Sequence, residues 1–258
     1  MKFIVCTLAA LALVSGQALA QEQPAPSGSD ADLAKKLANP VAGLISVPLQ
    51  FNYDCCVDPG DQTFLLNVQP VIPFALNDSL DLIVRTIVPF NHRDGSPSGD
   101  AAGFGLGDTT QSFFFTPAPV NGLTWALGPA FLYPTGTDGY SGGQWGAGPT
   151  GIVLKQDGPL TYGILANHIW SLGAESRPDI SNTFLQPFFN YTWPDTTSFV
   201  VNLESTYDWE RDRWSVPLHT GISHIYRFGE QRISLGAQAR VYLDEPDDGG
   251  PDWGLRFV

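Results

Sequence analysis

The sequence predicts an all-β protein: an antiparallel transmembrane β-barrel of about 12 strands, preceded by a short N-terminal lead-in. Three observations predict this fold. Apolar and polar side chains alternate with a period of two along most of the chain. The alternating segments are mostly about 11 to 15 residues long, whereas strands of soluble proteins are usually about five or six. Short and longer connections also alternate along the chain, as they do in membrane barrels.

Residues 1–20 have the features of a cleavable signal peptide. Lys2 supplies the positive start, an apolar run of residues 3–14 follows, and Ala18-Leu19-Ala20 fits the A-x-A cleavage rule. The run is too short for a membrane helix. We therefore expect export by a Sec-type pathway, with Gln21 as the new N-terminus.

Residues 21–43 form the predicted lead-in, which would lie in the periplasm. A short helix is expected from Ser29 to Asn39, because Ser29 or Asp30 can cap it and Pro40 follows its end. Two interpretations stay open for this segment. It is either a solvated lead-in to the barrel or a helix that plugs the barrel or binds a partner.

Residues 44–258 form the predicted barrel. The alternation is clearest in residues 198–209 and 231–244. A soluble β-sandwich would alternate in the same way with its faces exchanged, so alternation alone does not decide between the two folds. The predicted strands are 44–54, 62–73, 79–91, 106–116, 122–135, 144–155, 159–172, 181–193, 197–209, 213–227, 231–243 and 252–258.

The connections favour the membrane barrel over the sandwich. Longer, acidic or glycine-rich loops follow most odd-numbered strands, and residues 92–105 form the longest. Short turns follow the even-numbered strands, which places both termini on the periplasmic side. The predicted turns are 74–78, 117–121, 156–158, 194–196 and 228–230. Aromatic residues near strand ends fit an interfacial girdle; these are Tyr133, Tyr162, Trp170, Tyr191, Trp193, Trp209, Trp214 and Tyr226.

Composition narrows the classes of function. The chain carries 26 acidic and 13 basic residues, a net charge of −13, which leaves no basic patch for nucleic acid. Only 15% of residues are charged, while 12% are aromatic. A soluble domain has about a quarter charged residues, so this balance favours strands that face lipid. The acidic residues fall largely in predicted loops and indicate an acidic outer rim that attracts cations.

Polar residues on one face of the predicted strands are candidates for the barrel lumen. They would either fill a narrow interior as an ion-pair and hydrogen-bond network or set the selectivity of a solute pathway; a barrel of twelve strands is wide enough for either arrangement. The lumen-facing candidates are Asp81, Arg85, Asn202, Glu204, Asp208, Arg232, Gln238 and Arg240.

No catalytic constellation stands out, so we predict that the chain is not an enzyme and needs no cofactor or metal. His219 and His224 are five residues apart and would face opposite sides of a strand. Cys55 and Cys56 can form a vicinal disulfide in an oxidising compartment, although such a ring is geometrically strained. Incidental loop thiols, intermolecular pairing and a soft metal are the alternatives for this pair.

The chain resembles the family described as "MetA-pathway of phenol degradation". The resemblance covers nearly the whole mature chain. It is carried by the segments Asn39–Ala42, Leu44–Gln50, Asn67–Pro73, Arg85–Pro89, Gly105–Asp108, Trp145–Thr150, Ala166–Ser171 and Glu204–Trp209.

This resemblance implies an outer-membrane barrel of a Gram-negative bacterium that passes small aromatic or hydrophobic compounds. It supplies no catalytic residues. The implied partners are outer-membrane lipid, the barrel assembly machinery and a small-molecule solute. Relatives extend a little past the equivalent of Phe257 and Val258, so either Phe257 is the aromatic that the assembly machinery reads or the last strand is truncated.

The sequence thus leaves three hypotheses. The first is a passive outer-membrane transporter or channel. The second is a plugged structural or surface-interaction barrel that acts through its acidic outer loops. The third is a hydrolase on the barrel wall, built from a serine, a histidine and an aspartate or asparagine.

Overall fold

The computed structural model describes residues 29–55, 62–93, 103–173, 178–229, 231–244 and 251–258. The predicted signal peptide lies outside these ranges. Among the described residues there is one helix, α1 (Asp30–Leu37). Ser29 caps it, because its Oγ accepts a hydrogen bond from the backbone N–H of Asp32 at 3.2 Å. The Asp32 side chain accepts from the Ser29 backbone in return, which completes a capping box. The predicted short helix is confirmed.

The remaining elements are strands. In chain order they are β1 (Leu49–Cys55), β2 (Gln62–Val68), β3 (Val71–Asn77), β4 (Leu80–Arg93), β5 (Gly103–Leu106), β6 (Thr109–Pro117), β7 (Leu123–Tyr133), β8 (Gly146–Asp157), β9 (Leu160–Ser171), β10 (Ser181–Thr192), β11 (Thr197–Leu203), β12 (Ser205–Asp208), β13 (Arg213–Ser215), β14 (Pro217–Phe228), β15 (Gln231–Tyr242) and β16 (Trp253–Phe257).

These strands form one closed antiparallel barrel. β1 pairs with β16, and β11 pairs with both β10 and β14, so the described sheet closes on itself. Four barrel strands are interrupted and consist of the successive pairs β2 and β3, β5 and β6, β11 and β12, and β13 and β14. The described residues therefore make a barrel of 12 strands, and the predicted fold class is confirmed.

Two predicted boundaries are wrong. The turn expected at residues 74–78 is strand up to Asn77, and β3 pairs with β4 as far as Asn77 and Leu80. Pro73 lies within this continued strand, because a proline is tolerated in a strand segment with a free edge, where its missing N–H is not needed. The first strand begins at Leu49 rather than at residue 44. Pro48 precedes it, and before Pro48 only Ser46 pairs, as an isolated bridge with Val71.

The exterior of the barrel is apolar. Along β15 every second residue is exposed, and Leu235 on this outer face is 52% exposed. Aromatic side chains lie at both ends, with Trp170, Trp209 and Trp214 near the longer loops and Trp193 near the short turns. Such a surface suits lipid better than water. In the described part of the chain no helix is long and apolar enough to cross a membrane.

The interior has two different walls. The wall formed by β4 and β6 to β10 carries an apolar cluster at the end of the barrel where the short turns lie, which we call the turn end. Val41, from the segment before β1, is 2% exposed and belongs to this cluster. The opposite wall, formed by β14 to β16, β1 and β2, is polar. The members of the apolar cluster are Val41, Val71, Ile83, Phe114, Ala126, Ile152, Leu154, Leu165 and Phe188.

Candidate functional site

A salt bridge crosses the barrel interior between Glu204 and Arg256. The Arg256 guanidinium donates from Nη1 and Nη2 to the two Glu204 carboxylate oxygens at 2.7 and 2.9 Å. Its Nε donates to Asn52 Oδ1 at 2.7 Å. β16 is three places from β11 in the sheet, so these two side chains meet through the lumen and not along the wall. Bidentate geometry of this kind makes the pair strong and fixes both side chains.

A second salt bridge lies on the same polar wall. Nη1 of Arg240 donates to both carboxylate oxygens of Asp54, at 2.9 and 2.7 Å. Gly254 of β16 lies between them in the sheet: it is paired with Asp54 of β1 on one side and with Arg240 of β15 on the other. A Cβ at Gly254 would lie 2.4 Å from Asp54 Oδ1, so the pair closes over a position that only glycine fits.

Arg85 on β4 has a different environment. Its Nη2 donates to Gln69 Oε1 at 2.7 Å, and Gln69 Nε2 donates to Gln50 Oε1 at 2.7 Å. Arg85 forms no salt bridge with a carboxylate of the described residues. We call Asp54, Arg85, Glu204, Arg240 and Arg256 the interior charged cluster. Its five formal charges add to one positive charge.

Amide side chains and a histidine complete the polar wall. Gln186 donates to Asn202 at 3.1 Å, and Asn202 donates to Glu204 at 2.8 Å. His219 is fully buried, and its Nε2 lies 3.5 Å from a Glu204 oxygen, but neither ring nitrogen forms a hydrogen bond with the described residues. The carboxylate of Glu204 therefore accepts hydrogen bonds from two side chains, Arg256 and Asn202, which satisfies its lone pairs away from bulk water.

The helix α1 closes the turn end of the barrel. The carboxylate of Asp30 accepts from Arg232 at 2.5 Å and from Arg227 at 2.7 Å, beside the β14–β15 turn. Hydrogen bonds from Arg232 and then Arg227 lower the pKa of Asp30 below its ordinary value of 3.8. At the other end of the helix, Gln156 of β8 donates to the Lys35 carbonyl at 2.9 Å. The helix is thus fastened to two separate parts of the rim.

A cavity of about 780 Å³ lies between α1 and the interior charged cluster. Its wall is mixed, with apolar side chains such as Leu37, Phe188 and Ile225 and polar ones such as Asn190 and Gln238. Arg256 and Gln50 also line it. Cavities of this size hold small organic molecules, and a few polar groups in an apolar wall set their orientation.

The structure brings some of the predicted lumen residues together and leaves others apart. Arg85, Glu204 and Arg240 belong to the interior charged cluster, and Asn202 bonds to it. Arg232 lies at the turn end with Asp30. Gln238 lines the cavity, and its buried Oε1 accepts no hydrogen bond from the described residues.

Asp81 and Asp208 lie away from the cluster. Asp81 lies near the turn end of β4, on the same face of that strand as Arg85, and pairs with Thr116 of β6. Asp208 lies at the end of the barrel where the longer loops lie. It accepts from Arg211 Nη1 at 2.8 Å and from the backbone N–H of Glu210, and so fastens the β12–β13 turn.

Sequence reasoning missed several members of the site. Asp54 and Asn52 alternate with Tyr53 and Phe51 on β1, and Arg256 alternates with Leu255 and Phe257 on β16, so the period of two could have identified them. Asp30 could not be found in this way, because its arginine partners lie about 200 residues further along the chain.

The predicted vicinal disulfide stays untested. Cys55 is half-buried at the end of β1, opposite Trp253 of β16, and Cys56 lies outside the described residues. Among the described residues no group of three or more histidine, cysteine, aspartate or glutamate side chains could hold a metal ion.

One histidine lies close to a serine on the outer wall. His168 Nε2 is 3.5 Å from Ser181 Oγ, and its Nδ1 is 2.7 Å from Thr183 Oγ1. A catalytic serine and its base approach to about 2.6 to 3.2 Å, and the base usually bonds a third group that orients it. Here the serine contact is long, and the third group is a hydroxyl.

A closed antiparallel barrel of 12 strands with an apolar exterior and a charged interior has the architecture of a transmembrane β-barrel. Its structure is similar to that of the COG4313 outer membrane channel from Pseudomonas putida F1, with a TM-score of 0.62. The similarity covers 85% of this chain and 95% of that chain at 14% sequence identity, so it concerns the fold. No protein-family model and no curated protein matches the sequence.

Proposed function

We propose that this protein is an outer-membrane channel that passes small aromatic or hydrophobic compounds through the barrel interior. The observation that carries the proposal is the cavity of about 780 Å³ with its mixed apolar and polar wall. The likeness in fold to an outer membrane channel supports it, as does the resemblance to the MetA-pathway family. The protein would be exported by its signal peptide, folded by the barrel assembly machinery and held in outer-membrane lipid.

The route of a solute follows from what closes the cavity. At one end lies the interior charged cluster, and at the other lie α1 and Val41, which belongs to the apolar cluster. A solute that crosses through the turn end would displace the segment of residues 29–48, which we call the plug segment. With the short turns in the periplasm, the plug segment would close the periplasmic mouth.

Single-channel recording in planar bilayers tests channel activity. The wild-type protein is compared with a variant that lacks residues 29–41, and we expect a higher conductance or open probability in the variant. Uptake of the apolar dye 1-N-phenylnaphthylamine by cells expressing each form tests the solute class. A folded barrel that shows neither conductance nor dye uptake, with or without the plug segment, would overturn the proposal.

A specific observation favours a second candidate, a plugged barrel that acts through its outer loops. Glu204 and Arg256 fill part of the lumen with paired charges, and the plug segment closes the turn end. Replacing residues 94–102 with a short glycine-serine linker would then abolish binding of a surface partner. Measurable flux through the wild-type barrel would remove this candidate.

The hydrolase hypothesis has one concrete arrangement to test, Ser181 beside His168. A broad fluorophosphonate probe should leave the wild-type protein unlabelled, as it should a Ser181→Ala variant. Labelling of the wild type that the Ser181→Ala variant loses would contradict the channel as the sole function.

A further inference from the structure

Arg85 is a cation inside the barrel that has no carboxylate partner among the described residues. Among the described residues it makes a single hydrogen bond, to the neutral amide of Gln69. The nearby carboxylate of Glu204 already receives two hydrogen bonds from Arg256. Arg85 is half-buried, and a charge that is partly removed from water is costly unless it is paired. We therefore expect the anionic partner of Arg85 to be a bound solute.

Arg85 also lies at the border between the two interior walls. Ile83, a fully buried member of the apolar cluster, is two residues away on the same face of β4, a distance of about 7 Å along a strand. Ile83 stands opposite Phe114 of β6 in the sheet. On its other side Arg85 donates to Gln69, which in turn donates to Gln50, a residue that lines the cavity. Arg85 thus lies beside an apolar surface and is connected to the cavity wall through two amide side chains.

Two arginines line the cavity, Arg256 and Arg232, and each is paired with a carboxylate, Glu204 and Asp30 respectively. The interior charged cluster beside the cavity nonetheless adds to one positive charge, because Arg85 forms no salt bridge with a carboxylate of the described residues. This contrasts with the whole chain, whose net charge is −13. An anion would therefore meet a favourable potential inside a protein whose average charge repels it.

From these observations we propose that the preferred solute is an amphipathic organic anion, with one carboxylate or sulfonate group and a compact apolar body. Arg85 binds the anionic group, since a guanidinium matches two oxygens of such a group. The apolar body lies against the part of the cavity wall that contains Phe188. This inference rests on the proposed channel function and specifies its substrate class.

Three permanently charged probes distinguish the effect of a solute's charge on flux from the effect of its apolar body. They are benzenesulfonate, phenyltrimethylammonium and methanesulfonate, and their flux is measured in liposomes that contain the full barrel. We expect benzenesulfonate to cross faster than the other two. Arg85→Gln should lower the flux ratio of benzenesulfonate to phenyltrimethylammonium about tenfold, since a charge-assisted hydrogen bond is lost. Arg85→Lys should retain most of the ratio.

A matched control is Arg211→Gln, because Arg211 is an exposed arginine that pairs with Asp208 at the other end of the barrel. It should leave the ratio unchanged. Heat-modifiable migration on gels shows which variants fold. If Arg85→Gln does not fold, the test is the flux ratio of benzenesulfonate to phenyltrimethylammonium in the wild type alone. Equal flux of these two aromatic ions would overturn the inference.

The two proposals fail in different ways. If none of the three probes crosses, even without residues 29–41, the channel function is wrong. If all three cross and neither the sign of the charge nor Arg85→Gln alters the rates, the channel function stands and the anion inference is wrong.

Discussion

Asp54 and Arg240 meet over Gly254, with one guanidinium nitrogen 2.9 and 2.7 Å from the two carboxylate oxygens. β16, which carries the glycine, separates the two residues in the sheet. Asp54 on β1 and Arg240 on β15 are thus not on hydrogen-bonded strands, and their side chains meet only because the residue between them, Gly254, has no side chain. Gly254 is therefore as necessary to this salt bridge as the two charged residues.

This relationship predicts the effect of Gly254→Ala. The new Cβ would lie 2.4 Å from Asp54 Oδ1 and 2.4 Å from the Tyr53 carbonyl oxygen, so the salt bridge must open. We expect a loss of about 1 to 3 kcal/mol in the free energy of unfolding, as for other overpacked sites. Guanidinium unfolding in lipid vesicles measures it. Gly43→Ala is the control, because a Cβ there meets nothing within 4 Å.

The Glu204–Arg256 pair predicts a cost for removing one partner alone. Arg256 is 3% exposed, and Glu204→Gln leaves its charge without the carboxylate. The free energy of unfolding should fall by about 3 to 5 kcal/mol. The double variant Glu204→Gln with Arg256→Met removes both charges and should recover most of that loss. A double variant no more stable than Glu204→Gln alone would contradict this account.

The Asp30 contacts predict a response to pH at the turn end. Because hydrogen bonds from Arg232 and Arg227 lower the pKa of Asp30, the stabilisation of α1 is fully present above the ordinary value of 3.8. It is lost as the pH falls through the lowered pKa. Open probability in bilayers should therefore rise at acid pH in the wild type.

Asp30→Asn should show the higher open probability at neutral pH and lose the acid response. Asp78→Asn, in the β3–β4 turn, is the control and should behave like the wild type. High salt should act in the same direction as acid on the wild type, because partly exposed ion pairs are screened. An unchanged pH profile in Asp30→Asn would show that these contacts do not hold the plug segment.

The burial of Val41 predicts that this residue stabilises the binding of the plug segment to the barrel interior. Val41→Asn would place an amide inside the apolar cluster, where the described neighbours are aliphatic or aromatic. A buried amide without partners costs about 1 to 3 kcal/mol, so the segment should dissociate more often and conductance should rise. Val120→Asn is the control, since Val120 is 67% exposed in the β6–β7 turn and does not line the cavity. Equal conductance of the two variants would refute this role for Val41.

The faces of the strands could be predicted from the sequence because side-chain orientation in a strand is local. In β15, Arg232, Gln238 and Arg240 alternate with apolar residues, and the structure shows the same alternation of exposure. The capping signal at Ser29 likewise depends on residues only three positions apart. The turn expected at residues 74–78 is wrong, because the pairing of β3 with β4 extends the strand to Asn77 and no local pattern encodes that pairing.

The tertiary structure alone decided which charges pair. Glu204 and Arg256 are 52 residues apart, and Asp54 and Arg240 are 186 apart. Whether these side chains meet depends on the register of every strand between them, and the local sequence pattern does not encode that register. The same holds for Arg85, which the sequence identified as an inner-face residue; only the closed barrel shows that no carboxylate of the described residues pairs with it. The sequence thus determined a membrane barrel and the faces of its strands, because periodicity is a property of neighbours along the chain. Closure of the barrel decided the charge network, the cavity and the position of the plug segment, because those depend on residues that meet across the lumen.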